Sequence, residues 1–119
     1  MHVISTIGPD NATKAVLPFV ASKGAMGHGE QVDLFLMQEA TYLGTERAEL
    51  GELTAPGLPP VAEVLDALRE NDAIRSAIVC EPCAGARGIE EADLVDWAEF
   101  GGAGDLVSQA KRNDETLTF

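Results

Sequence analysis

Basic residues are scarce in this sequence. Its 119 residues include eight lysines and arginines against 20 aspartates and glutamates, which gives a formal net charge of −12 at pH 7. A protein that binds nucleic acid or an anionic membrane needs a basic surface to neutralise phosphate charge, so this composition argues against both kinds of partner. The acidic excess is most simply a solvated surface that keeps the protein in solution.

Long hydrophobic runs are also missing. The longest, residues 15–21, is interrupted by Pro18 and is much shorter than the roughly 20 apolar residues that cross a bilayer. The first six residues show no basic region followed by an apolar core, so we expect no signal peptide and a cytoplasmic location. Internal repeats are absent, and the length suits a single domain over residues 1–119.

Cysteine is limited to two residues, Cys80 and Cys83, with two residues between them. Such a pair suits a reactive or metal-binding site in a reducing compartment better than a structural disulfide. Zinc needs four ligands, and there is no second pair of cysteines to complete a site. His2 and His28 could add ligands only if the fold brought them in, so we predict neither a metal nor another cofactor.

Short apolar segments alternate with helical patterns along the chain. The apolar segments predict five strands, at residues 2–7, 32–37, 77–79, 95–100 and 116–119. Helical spacing predicts helices or helical turns that begin near residue 11 and cover residues 39–43, 61–70, 90–94 and 105–112. In the last of these, the spacing predicts that Leu106, Val107 and Ala110 face inward. The alternation predicts an α/β fold, a three-layer α/β/α sandwich with a parallel sheet of about five strands.

Three parts of this pattern carry specific expectations. Pro18 lies inside the first helix and cannot donate to the carbonyl of Lys14, so we expect a kink there. The three glycines in residues 24–30 predict the end of that helix. Residues 44–60 are rich in glycine and proline and predict a long loop, a feature that often serves as a lid or a partner surface.

The third predicted strand leads into the first cysteine. Pro82 cannot donate to a sheet ladder, so the strand must end near Cys80, and a helical turn can begin at Glu81 or Pro82. Cys80 would then lie at the carboxyl end of a parallel strand, where ligands and reacting groups gather in open α/β sheets. Amides of the helical turn would favour the thiolate, so we expect a pKa for Cys80 about one to two units below ~8.5.

The stretch around the cysteines resembles a known family. Cys80 precedes Arg87 and Gly88 by the spacing found in sulfur-relay members of the DsrE/DsrF-like (YchN-like) family, and Ala84 and Ile89 match as well. The likeness covers most of the chain, including residues 6–10, 17–21 and 39–43. It implies a DsrEFH-like fold and sulfur handling through a persulfide on Cys80. It also implies a homo-oligomer, a trimer or a hexamer, with a protein that donates or accepts sulfur.

The candidate site residues form two groups. The candidate catalytic residues are Cys80, Cys83 and Arg87, of which Arg87 would orient an anionic sulfur species or else pair with Glu90 or Glu91. The candidate ligand-binding residues lie in turns that follow strands or in a short helical segment, and they are Gly8, Glu39, Tyr42, Gly85 and Gly88. The plainer interpretation is packing for Tyr42 and turn geometry for Gly85 and Gly88.

Three functions stay open for the cysteine pair. In the first, Cys80 carries a persulfide, as a sulfurtransferase or a non-enzymatic carrier. In the second, Cys80 and Cys83 are a dithiol redox couple, because Cys-Glu-Pro-Cys has the form of thioredoxin-like motifs. In the third, the cysteines are inert in a non-catalytic oligomeric binding module. Cys83 stands where the relay members of the family have a small residue, which disfavours a pure single-cysteine relay.

Overall fold

The protein is built on one parallel sheet, seen in a computed structural model that describes all residues, 1–119. The strands are β1 His2–Ser5, β2 Val32–Leu36, β3 Ile74–Cys80, β4 Glu99–Gly101 and β5 Thr116–Thr118. Their order across the sheet is β4-β3-β2-β1-β5, and every neighbouring pair is parallel. The predicted α/β fold with about five parallel strands is confirmed.

Helices lie on both faces of this sheet. The α-helices are α1 Ala12–Ala15, α2 Leu17–Gly27, α3 Val61–Glu70, α4 Glu81–Gly85 and α5 Ala103–Lys111. Short 3-10 helices cover Gln38–Gly44, Glu46–Ala48, Leu50–Glu52 and Glu91–Asp93. Helices α2 and α3 pack against each other on one face, whereas α5 contacts β3 and β4 on the other.

Alternate strand residues belong to two separate cores. Leu34 and Leu36 join the large core under α2 and α3, while Phe35 between them faces the opposite side. All five residues of β2 are buried, as expected for the central strand of a covered parallel sheet. The second core is small: its buried members are Phe35, Ile78 and Cys80.

The first helix differs from its prediction. A break at Val16 divides it into α1 and α2, so the expected kink is an interruption between two helices. Pro18 lies in the first turn of α2, where its missing N–H has no helical partner to lose. The side chain of Asn11 caps α1 by accepting from the N–H of Lys14 at 3.3 Å. Helix α2 ends at Gly27, inside the segment of glycines that predicted its end.

Two further expectations need correction. The fourth strand covers only Glu99–Gly101, because Trp97 turns into the large core and packs edge-to-face on Phe19, with 6.5 Å between ring centroids. Residues 44–60, expected as a loop, contain two 3-10 helices and bury Leu53 against the large core. The segment is therefore part of the packed domain.

Helix α5 faces the sheet with a polar side chain. Leu106, Val107 and Ala110 were expected to point inward, but Val107 is 55% exposed and Ala110 is exposed too. Gln109 is the buried residue of α5. The reason lies beneath the helix, where Asp33 and Ser76, near the starts of β2 and β3, are polar.

Asp33 is the centre of that polar region and is fully buried. Its carboxylate accepts hydrogen bonds from Arg75, Arg112, Asn113 and Ser76. Burial alone would raise the pKa of Asp33, but the hydrogen bonds from these four side chains outweigh it and hold the pKa well below its usual range. The charge is thus retained inside the protein because two guanidinium groups compensate it.

His2 lies beside this cluster and is also fully buried. Its Nε2 atom is 3.2 Å from Oε1 of Gln109, and the amide nitrogen of Gln109 donates to Ser76 Oγ at 2.8 Å. Burial lowers the pKa of His2 below 6.5, so the imidazole is neutral in the folded protein at pH 7. In the unfolded chain the same residue takes up a proton at a higher pH.

We therefore expect acidification to destabilise the fold through His2. The stability that rests on its neutral form is fully present above pH 6.5 and is lost as the pH falls toward the lower pKa of the folded protein. Urea unfolding at about pH 7.5 and about pH 5.5 measures this loss. His2→Gln should reduce the difference in the free energy of unfolding between the two pH values. The control His28→Gln, at an exposed position, should retain this difference. An unchanged difference in His2→Gln would contradict the prediction.

Candidate functional site

Cys80 lies at the junction of a strand and a helix. It is the last residue of β3 and the N-terminal cap of α4, which begins at Glu81 and has Pro82 in its first turn. The strand ends there because the proline cannot continue the ladder, and the helix begins because proline suits a first turn. The expected position of Cys80 at the carboxyl edge of the sheet is confirmed.

The two thiols face each other across the first turn of α4. Both cysteines are free, and their sulfur atoms lie 2.7 Å apart. Cys80 is 9% exposed, whereas Cys83 is half-buried at the border of the site. A disulfide bond is about 2.05 Å long, so a small movement of the side chains would bring these sulfurs to bonding distance.

Burial decides the acidity of Cys80. It raises the pKa of Cys80, and the neighbouring Cys83 thiol raises it further, while the backbone N–H of Cys83 and the charge of Arg87 oppose the shift without cancelling it. The expected depression of this pKa is therefore wrong. Helix α4 has only five residues, so its amides add little, and the sulfur has left water for an apolar core.

Apolar side chains form the floor and one border of the site. Phe35 and Ile78 lie with Cys80 in the small core. Three partly exposed apolar residues pack against this core and were not identified from the sequence; they are Ile4, Met37 and Leu106. Their contact follows from strand register and from the position of α5, neither of which leaves a local signal in the sequence.

Arg87 is held by an ion pair on the other border of the site. Its Nε and Nη2 atoms donate to Oε1 of Glu39 at 3.1 and 2.7 Å, and its Nη1 atom donates to the backbone carbonyl of Cys83 at 3.0 Å. The expected alternative partners, Glu90 and Glu91, are not used. Hydrogen bonds from Arg87 lower the pKa of Glu39. Arg87 thus brings positive charge to the cysteine pair without binding either sulfur.

Gln38 completes this border and was missed by the sequence reasoning. Its side-chain oxygen accepts from Nη2 of Arg87 at 3.1 Å. Its backbone has a φ of +52°, a left-handed conformation that is uncommon for residues other than glycine. Glutamine has no preference for this conformation, so its identity gives no signal. The strained residue lies where the chain turns from β2 toward Glu39.

The candidate ligand-binding residues fall into two places. Gly8 approaches the backbone of Glu39 so closely that a Cβ atom there would lie 2.6 Å from its carbonyl oxygen. Glu39 and Tyr42 line a cavity of about 350 Å³ together with Pro9 and Asp10. The structure therefore brings three of the five candidates together next to Arg87.

The other two candidates, Gly85 and Gly88, lie in the turn after the cysteines. Open space surrounds the position of a Cβ atom at both residues. Gly88 has a φ of +70°, which ends the turn after α4, and its carbonyl accepts from Arg47 at 3.4 Å. Both positions are thus explained by chain geometry. The residues of the chain form no cluster of three or more metal-ligating side chains.

These features define a small parallel α/β protein with two free thiols at the carboxyl edge of its sheet. The family model of the DsrE/DsrF-like family matches residues 1–119. The chain belongs to the DsrE/DsrF-like family.

Three known proteins are similar to the chain. An uncharacterized protein of Methanocaldococcus jannaschii is 29% identical over 117 residues, 98% of this chain and 96% of the relative. One of Methanopyrus kandleri is 32% identical over 95 residues, 80% of this chain and 73% of the relative. The crystal structure of YchN from E. coli matches with a TM-score of 0.71 at 22% identity, over 99% of this chain and 97% of that one, which shows the fold alone. No helix is both long enough and apolar enough to cross a membrane.

The environment of Cys80 predicts slow alkylation. In Cys83→Ser, where Cys80 is the single thiol, burial remains and should keep the pKa of Cys80 above the ~8.5 of an exposed thiol. The rate of iodoacetamide modification as a function of pH, followed by intact mass, measures this pKa. The half-buried Cys83 in Cys80→Ser is the matched control and should react faster at pH 7. A pKa for Cys80 below ~8.5 would refute the prediction.

Proposed function

We propose that this protein handles sulfane sulfur and carries it as a persulfide on Cys80. The observation that supports this most is the free Cys80 thiol, buried at the carboxyl edge of the sheet with a second thiol 2.7 Å from it. Membership of the DsrE/DsrF-like family supports the same chemistry. The substrate class is a persulfide or polysulfide, from a small molecule or from a protein donor.

Burial suits a carrier of reactive sulfur. The outer sulfur of a persulfide is lost readily to other thiols, and the apolar surroundings of Phe35 and Ile78 limit their access to Cys80. The raised pKa of Cys80 is the cost of this protection, because the thiol must lose its proton before it attacks a donor. The sulfur of Cys83 is close enough to share that proton, so the first negative charge belongs to the pair.

Arg87 is a positioning residue in this proposal. It connects the carbonyl of Cys83 on α4 to Glu39 in the segment after β2, 48 positions away in the chain. These contacts fix the first turn of α4, and with it the second thiol, against the rest of the domain. The ion pair with Glu39 also places a negative charge next to the arginine, so this border of the site is polar.

A second candidate function is a dithiol redox couple. The distance of 2.7 Å between the sulfurs favours it, since oxidation could close a disulfide without movement of the backbone. In this function the pair would exchange electrons with a thiol or disulfide substrate and would carry no sulfane sulfur. The two functions differ in the product of reaction with a persulfide donor.

Intact mass spectrometry of the protein after exposure to a persulfide donor tests the proposal. Reduced Cys83→Ser, incubated with an alkyl persulfide and then desalted, should gain the mass of one sulfur atom on Cys80. Cys80→Ser should gain none, because the remaining thiol lacks the buried surroundings that retain the sulfur. Sulfur on Cys80→Ser, or no sulfur on Cys83→Ser in its folded state, would exclude Cys80 as the carrier.

We further infer that the protein works as a closed homo-oligomer, a trimer or a hexamer, in the cytoplasm. Val107 on α5 and Leu117 on the edge strand β5 are the large apolar residues that stay exposed, at 55% and 39%. Association would remove them from water, and closed symmetry is the usual outcome for copies of one chain. Two free cysteines fit a reducing compartment.

Light scattering at micromolar concentration tests the assembly. We expect a mass three or six times the 12.5 kDa of one chain. Val107→Asp should lower that mass if the α5 face takes part, because a buried charge without a partner is costly at an interface. The control Thr13→Asp, at an exposed position of α1, should leave the mass unchanged. A mass near 12.5 kDa for the unmodified protein would rule out the oligomer.

A further inference from the structure

We propose that Cys83 empties the persulfide on Cys80 and releases its sulfur as hydrosulfide. This inference rests on the proposed function, since it needs a persulfide on Cys80, and it adds the fate of the sulfur. The protein would then reduce sulfane sulfur to hydrosulfide whenever no acceptor takes it first. The Sγ atoms of Cys80 and Cys83, 2.7 Å apart in the reduced protein, support it.

The geometry directs Cys83 to one particular atom of the persulfide. A persulfide has an inner sulfur, which is Sγ of Cys80 itself, and an outer sulfur beyond it. Cys83 Sγ already lies against the inner sulfur, and both cysteines are anchored to the short helix α4, as its cap and in its first turn. Attack on the inner sulfur therefore needs little rearrangement, whereas attack on the outer sulfur needs a different direction of approach.

The persulfide forms on Cys80 and is then reduced by Cys83. Cys80 thiolate attacks the outer sulfur of an alkyl persulfide, and the alkyl thiolate leaves, so Cys80 becomes a persulfide. Cys83 thiolate then attacks Sγ of Cys80, and the bond from that atom to the outer sulfur breaks. The electron pair leaves with the outer sulfur as hydrosulfide, while the two cysteines form a disulfide. The sulfane sulfur has gained two electrons, and the cysteine pair has lost two.

Renewal of the pair requires a reductant, which we assign to the class of low-molecular-weight thiols and dithiols. Cys83 is half-buried and Cys80 buried, so the reductant would reach Sγ of Cys83. Its attack releases the Cys80 thiolate, and a second thiol then releases Cys83 and leaves as a disulfide with the first. The reductant and the persulfide donor thus meet the protein at the same border of the site.

A single-turnover experiment tests the inference. Fully reduced protein, freed of reductant, is mixed with one equivalent of an alkyl persulfide; hydrosulfide is trapped with a bimane reagent and the protein is weighed intact. The unmodified protein should release about one equivalent of hydrosulfide and lose the mass of two hydrogen atoms. Cys83→Ser and Cys83→Ala should release none and keep the extra sulfur. The double variant Cys80→Ser/Cys83→Ser, which has no thiol, measures release by the donor alone.

The outcomes separate this inference from the function on which it rests. If the unmodified protein keeps the extra sulfur and forms no disulfide, the inference is refuted and the persulfide carrier stands. If both Cys83 variants release as much hydrosulfide as the unmodified protein, the inference is refuted, and the mass of these variants decides separately whether Cys80 carries sulfur. If neither the unmodified protein nor the Cys83 variants react with the donor, the proposed function fails, and the inference fails with it. Circular dichroism confirms that each variant is folded.

Discussion

The buried carboxylate of Asp33 is the interaction on which the rest of this structure depends. It lies in the central strand and binds Arg75 from β3 and Arg112 from the chain just after α5. Helix α5 has little apolar contact of its own, since Val107 is exposed and Gln109 is its buried residue. The ion pair with Arg112 therefore holds the end of α5 on the sheet. Because both arginines remain partly exposed, loss of one of them should cost less than the ~3–5 kcal/mol typical of a fully buried pair.

The position of α5 in turn creates the environment of the thiols. Leu106, near the start of α5, packs against the small core of Phe35, Ile78 and Cys80. Without this contact the small core would open to water, and the burial that raises the pKa of Cys80 would decrease. The polar cluster at one end of the sheet thus influences the chemistry at the other end, although no charged group of the cluster touches a cysteine.

The sequence predicted those features that depend on neighbours in the chain. Strand and helix order followed from periodicity, and the position of Cys80 followed from Pro82 two residues later. Features set by distant residues were missed. Arg87 pairs with Glu39, which is 48 positions away, and not with the acidic residues that follow it. The acidity of Cys80 depends on burial beside Phe35 of another strand, so the local helix alone predicted the wrong direction.

The dependence on distant residues also explains why the predicted inward face of α5 was wrong. Val107 and Ala110 have a spacing typical of an inward face, and that spacing assumes an apolar surface beneath the helix. The sheet has the polar residues Asp33 and Ser76 at this place. Gln109 donates a hydrogen bond to Ser76, and Arg112 donates to both Asp33 and Ser76, so these two residues face the sheet. A single sequence does not reveal which strand residues lie under a given helix, because that depends on the register of the sheet.

The proposed reaction joins two functions that the sequence left as alternatives. A persulfide on Cys80 and a Cys80–Cys83 disulfide would be successive states of one site, because the thiol that could reduce the persulfide is already in contact with it. Well-oriented groups within one molecule react as if at a concentration far above that of any free thiol. An external acceptor would therefore receive sulfur only if it bound the border of the site and kept Cys83 away from Cys80. Transfer of sulfur would require a partner that covers Cys83, and hydrosulfide would be the product in its absence.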